Sequence, residues 1–156
     1  MTDKGTAIEQ ILGQAIRFEE DAYAFYSGAI DMVERAHIRA ALEDLAQEEA
    51  KHKEQLQALL AGDTTRIISV RNKGQIEDLK LAEYLVPRPL DPKAGLQDVL
   101  IVAMHREKSS YDFYSTMAEI AEEEASRSLF GFLAQEESVH KNKVESLYDE
   151  VVYQDN

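Results

Sequence analysis

A chain of 156 residues with 44% apolar and 30% charged residues fits one compact domain and excludes a disordered, tail-like protein. Seven glycines and three prolines are too few for a turn-rich sandwich or barrel, and the lack of cysteine excludes disulfides, thiolate zinc sites, iron–sulfur centres and a cysteine nucleophile. The formal charge of −13 argues against nucleic-acid and anionic-membrane partners, which need basic patches, and suits metal cations.

The apolar positions step by four and three residues from Thr6 onward: Ile8, Leu12, Ala15, then Ala22, Tyr26, Ala29 and Val33, the period of a helix. Thr6 with Glu9 reads as a capping box at its start, and Glu34 to Ala36 as the turn that follows. A second stripe runs Ile38, Leu42, Leu45, Leu56 and Leu59, and Gly62 supplies its stop. Asp91-Pro92 marks the start of a third helix, with stripe Leu100, Ala103, Tyr114, Met117 and Ala121. The fourth stripe is Phe130, Leu133, Val144, Leu147 and Val151. The spacing therefore predicts an all-α fold of two helical hairpins, over about 6–61 and 95–153. A crossover over about 62–94 holds Pro87, Pro89 and Pro92 and a short amphipathic helix around Ile76 to Leu85. That linker is long enough to traverse the bundle, which is the connectivity of ferritin-like four-helix bundles. The longest apolar run, Val99 to Met104, is too short for a membrane span or a signal core, so a cytoplasmic protein is expected.

Sliding the chain against itself by 88 residues superposes the two hairpins. Glu19 meets Glu107, Tyr23 meets Tyr111, Phe25-Tyr26-Ser27 meets Phe113-Tyr114-Ser115, Leu45 to Glu49 meets Leu133 to Glu137, and His52 meets His140. A repeat kept only for packing would hold apolar character and let polar identities drift. Here the agreement includes carboxylates, imidazoles and tyrosines.

Each stripe also has a hole where the period calls for an apolar residue. Glu19, Glu49, His52, Glu107, Glu137 and His140 fill these holes, so all six point toward the bundle axis at mid-helix. Burying four bare carboxylates together would unfold the core or drive proton uptake, so cations must sit among them. In Glu49-Ala50-Lys51-His52 and Glu137-Ser138-Val139-His140 the two donors are three apart and share a helical face. One Glu from each of two helices plus a Glu-x-x-His from each of the other two is the ligand set of carboxylate-bridged di-metal bundles. Four carboxylates and two imidazoles suit iron or manganese, with zinc able to compete. Tyr26 and Tyr114, two turns beyond Glu19 and Glu107 on the same face, read as plain core aromatics, as groups just outside the ligands, or as residues with a radical-quenching role. Glu48 and Glu136 fall off the stripes and read as surface acids, as do His37 and His105 as surface histidines.

The segments Arg17-Phe-Glu-Glu-Asp-Ala-Tyr-Ala-Phe-Tyr26 and Leu45-Ala-Gln-Glu-Glu-Ala-Lys-His52, with counterparts ending at Tyr114 and His140, resemble the rubrerythrin branch of the ferritin-like superfamily across all four helices. The resemblance implies a single ferritin-like di-iron domain over 1–156, with two iron ions held by Glu19, Glu49, His52, Glu107, Glu137 and His140 and bridged by Glu49 and Glu137. It also implies a homo-oligomer, at least a dimer. Two features depart from the family pattern. No cysteines are present for a rubredoxin domain, and Ser110 stands three residues after Glu107 where rubrerythrins carry an additional glutamate. The expected function is an oxidoreductase acting on ferrous iron, hydrogen peroxide or dioxygen, of ferroxidase or peroxidase type. Its electrons would come from ferrous iron or a separate donor protein. An iron-binding or storage module and a zinc-filled structural bundle are the alternatives.

Overall fold

The computed structural model describes residues 7–68, 81–85, 90 and 93–154. Four long helices carry the fold: α1 (Ala7–Ile30), α2 (Ala36–Ala61), α3 (Leu96–Ile120) and α4 (Glu124–Gln154). Every residue of the first, third and fourth apolar stripes is buried, as are Ile38, Leu42, Leu45 and Leu56 of the second, while Leu59 is partly buried. α1 packs on α2 and α3 on α4, giving two hairpins. No helix among the described residues is long and apolar enough to cross a membrane.

The direction of each helix follows from contacts between hairpins. Tyr26 of α1 reaches Glu107 of α3, and Tyr114 of α3 reaches Glu19 of α1, so α1 and α3 are antiparallel. Since α2 also reverses α1 through a short turn, α2 and α3 point the same way. The segment joining them must therefore return along the whole bundle, about 40 Å for helices of this length. This is the crossover topology expected from the linker length, and among the described crossover residues two short 3₁₀ turns appear, Thr64–Arg66 and Leu81–Leu85. Leu81 and Leu85 are buried and anchor the second turn in the core.

Gly62 does end α2, its N–H donating to the Leu59 carbonyl at 3.2 Å. The expected start of α3 at Asp91-Pro92 is corrected: the helix begins at Leu96, with Gly95 as its cap, and residues 93–95 are not helical. Asp98 supplies the acid of its first turn, where the helix dipole favours negative charge. Thr6, Asp91, Ile76 and the three prolines lie outside the described residues.

The first hairpin turn spans residues 31–35, and neither turn between paired helices contains glycine or proline. Arginine from the second helix closes each one. Arg39 Nη1 donates to the Ile30 and Val33 carbonyls, both at 2.9 Å, and Arg127 Nε donates to the Ala121 carbonyl at 3.1 Å. These bonds add side-chain donors to carbonyls at and just beyond the helix C-termini, where intrahelical partners run out.

The apolar core divides in two. One cluster gathers Leu12, Phe18, Leu56, Phe113, Met117 and Phe130, and the other Ala29, Leu42, Leu45, Leu100, Val144 and Leu147. In every helix the polar residues of the stripe fall between the two clusters.

Candidate metal centre

Glu19 on α1, Glu49 and His52 on α2, Glu107 on α3, and Glu137 and His140 on α4 meet in that middle layer, none more than 1% exposed. They sit there because each occupies a core position of its own helix, and the i, i+3 spacing in α2 and α4 turns both donors of each motif to the same side. His52 Nδ1 lies 2.8 Å from Glu137 Oε1, 3.7 Å from Glu49 Oε1 and 3.8 Å from Glu19 Oε2. His140 Nδ1 lies 2.8 Å from Glu49 Oε1, 3.6 Å from Glu137 Oε1 and 3.7 Å from Glu107 Oε2. The two imidazoles stack, with centroids 5.5 Å apart and planes 12° from parallel.

Two donor groups result. Glu19, Glu49, His52 and Glu137 form one, and Glu49, Glu107, Glu137 and His140 the other; within each, ligand atoms lie within 4.8 Å of one another. Glu49 and Glu137 belong to both. Each outer glutamate is tied by a tyrosine from across the bundle: Tyr26 donates to Glu107 Oε1 and Tyr114 to Glu19 Oε1, each at 2.5 Å. Both tyrosines are therefore more than core aromatics. Tyr23 and Tyr111 stand outside the layer, each 41% exposed.

The remaining atoms supply a test of whether metal fits. Glu19 Oε2, Glu49 Oε1, Glu107 Oε2, both oxygens of Glu137, His52 Nδ1 and His140 Nδ1 are buried without hydrogen-bond partners. Orphaned buried polar atoms are destabilising, by about 1–3 kcal/mol each and more when charged. Here imidazole Nδ1 and carboxylate oxygen approach to 2.8 Å without a hydrogen bond, an arrangement that a cation between them resolves. The donor set fits metal.

The electrostatics agree. Burial, reinforced by Glu49, pushes Glu19 well above the usual carboxylate range, and burial with Glu107 does the same to Glu137. Glu107 is raised by burial and by Glu49. Glu49 is held low, because the His140 imidazole and the neighbouring Glu19 outweigh its burial. Burial lowers His52, whereas for His140 the carboxylates of Glu107 and Glu49 overcome burial and raise it to about 11. Both tyrosines are pushed well up, first by burial and then by Glu107 for Tyr26 and Glu19 for Tyr114. Glu19, Glu107 and Glu137, crowded in a dry layer, thus retain protons that divalent cations would displace.

A family model described as Rubrerythrin matches residues 10–148. The chain belongs to the rubrerythrin family. Two solved structures share the fold over nearly the whole chain. A hypothetical protein from Pyrococcus furiosus, 21% identical, covers 99% of this chain and 94% of its own with a TM-score of 0.69. A Thermotoga maritima protein proposed to be a ferritin-like diiron-carboxylate protein is 19% identical and covers 94% of this chain and 96% of its own, with a TM-score of 0.70. No curated protein matches the chain. Membership in the rubrerythrin family and the buried carboxylate–imidazole cluster together support di-metal binding in this four-helix bundle.

Glu48 and Arg106, beside the layer, escape the periodic reading. Glu48 is not a free surface acid. Its Oε2 contacts His140 Nε2, because a side chain off its own stripe can still face a neighbouring helix. Arg106, beside Glu107 in sequence, lays its guanidinium over the rings of Phe25 and Phe18, 4.7 and 5.7 Å from their centroids, and so places a positive charge near the acids. His37 is exposed as expected, yet pairs with Glu150 of α4. Ser110 is buried one turn from Glu107.

Proposed function

We propose that this rubrerythrin-family chain is a di-iron oxidoreductase of ferroxidase or peroxidase type, acting on ferrous iron and on hydrogen peroxide or dioxygen. One observation carries the reading: two overlapping donor groups share Glu49 and Glu137 in a layer closed to solvent. Glu19, Glu49, His52 and Glu137 would hold one ion, and Glu49, Glu107, Glu137 and His140 the other. Carboxylates with imidazoles suit iron or manganese, with zinc able to compete. When bound there, two iron ions would supply a two-electron reservoir for the reduction of an oxidant.

The protein's own residues set the conditions for that chemistry. Tyr26 and Tyr114 each occupy one oxygen of an outer glutamate, which leaves the other oxygen free to ligate. Burial pushes both phenols still further from ionisation, and each donates its O–H to an outer glutamate. The apolar clusters above and below exclude bulk water, which strengthens charge interactions within the layer. Electrons would come from ferrous iron or from a separate donor protein, with a cytoplasmic homo-oligomer, at least a dimer, as the working form.

Anaerobic titration with ferrous iron followed by addition of peroxide or dioxygen tests the proposal. The expected result is saturation at about two iron ions per chain, rapid two-electron oxidation, and re-use after reduction. Continuing accumulation of iron without re-use would instead identify a storage module. A protein that takes up no iron, and whose activities survive Glu49→Ala with Glu137→Ala, would overturn the metal reading.

A further inference from the structure

We propose that Glu48 is a positioning residue for the metal centre: its carboxylate accepts the Nε2–H of His140 and so presents the opposite ring nitrogen, Nδ1, to the carboxylate layer. The inference rests on the metal reading above, and deepens it by making the two halves of the centre unequal.

Glu48 precedes Glu49 on α2 and is therefore turned about 100° around the helix from it. Its side chain, 31% exposed, bridges the surface and the layer. Oε1 lies 3.8 Å from Lys143 Nζ, and Oε2 contacts Nε2 of the fully buried His140. An ionised carboxylate can only accept hydrogen bonds, so Nε2 must carry the proton. Once a metal ion displaces the second ring proton, that choice leaves the lone pair on Nδ1, the atom that faces Glu49, Glu107 and Glu137. Partners of this kind fix ring orientation and raise the basicity of a ligating histidine.

The other half of the layer lacks the device. His52 Nδ1 faces Glu137, Glu49 and Glu19 at matching distances, but His52 Nε2 is buried with no hydrogen-bond partner. Glu136 precedes Glu137 as Glu48 precedes Glu49, yet makes no bond to His52. The equivalence of the repeated motifs is therefore broken at this outer contact.

The test is anaerobic titration of the full chain with Co²⁺, followed by its visible absorption. Glu48→Ala should weaken one of the two ions about 10- to 100-fold and leave the other unchanged. Glu136→Ala should leave both within about twofold of wild type, since it removes no bond to a ligand. Glu48→Gln, whose amide oxygen can still accept the Nε2–H, should recover most of the loss, which a simple surface-charge effect would not. In wild-type protein loaded with Zn²⁺, histidine nitrogen NMR should place the ring proton of His140 on Nε2, and this measurement needs no variant to fold. Wild-type affinity for both ions in Glu48→Ala, or a His140 proton on Nδ1, overturns the proposal while leaving the metal reading intact. A wild-type chain that binds neither Co²⁺ nor Zn²⁺ overturns both.

Discussion

Glu49 and Glu137 differ from the other four candidate ligands because each stands in both donor groups. Removing either should therefore cost both ions, whereas Glu19→Ala or Glu107→Ala should cost one. Metal content per chain after exhaustive buffer exchange would check this, and retention of one full equivalent by Glu49→Ala would show that the glutamate is not shared. The tyrosines make a second comparison. Tyr26→Phe and Tyr114→Phe each strip one hydrogen bond from a buried glutamate, at a cost of about 1–3 kcal/mol. Because the two bonds are equal at 2.5 Å and both lie in the core, the variants should shift the urea midpoint by similar amounts while retaining two ions. A marked inequality would mean that one of the outer glutamates has another donor.

Helix by helix, the fold is held by features that differ in how readily a sequence reveals them. The apolar stripes were legible because four helices of 24 to 31 residues repeat their period many times, and a polar residue inside such a stripe stands out. That logic located all six residues of the central layer. It could not locate Glu48, since periodicity assigns a face on one helix and is silent about what the neighbouring helix brings to its edge. The start of α3 was misplaced because Asp91-Pro92 resembles a cap, although the helix begins only after Gly95. The arginines that close the hairpin turns were also missed, although Arg39 and Arg127 share the 88-residue register, so the signal was available. Arg39 makes two carbonyl bonds and Arg127 one, so Arg39→Ala should lose about 1–3 kcal/mol and Arg127→Ala about half as much. α1 and α3 are antiparallel, which puts their C-termini at opposite ends of the bundle, about 35 Å apart. At that separation the losses should add to within about 0.5 kcal/mol in the double variant, measured by urea denaturation. Strong non-additivity would imply that the two ends communicate through the central layer.

At the scale of the whole molecule, that layer makes stability depend on pH in opposite senses with and without metal. In the metal-free protein Glu19, Glu107 and Glu137 have raised pKa values, so each contributes stability that is complete below the unfolded carboxylate pKa of about 4.3 and is lost as pH rises through the folded value. His140, raised to about 11, acts in the same direction above its unfolded value of about 6.5. Glu49 and His52 are both lowered and act in the opposite sense, but Glu49 does so only below the ordinary carboxylate value of about 4.3, which leaves His52 alone against four groups above it. The chelated protein should therefore become less stable between about pH 5 and pH 8. Metal binding requires deprotonated ligands and releases their protons, so the loaded protein should gain stability over the same interval. Thermal melts at both pH values, with chelator and with saturating Mn²⁺, would reveal slopes of opposite sign. If the chelated protein instead became more stable toward pH 8, the glutamates would have to ionise freely inside the layer. Water would then reach them, and the separation of the core into two dry clusters around a closed polar layer would be wrong.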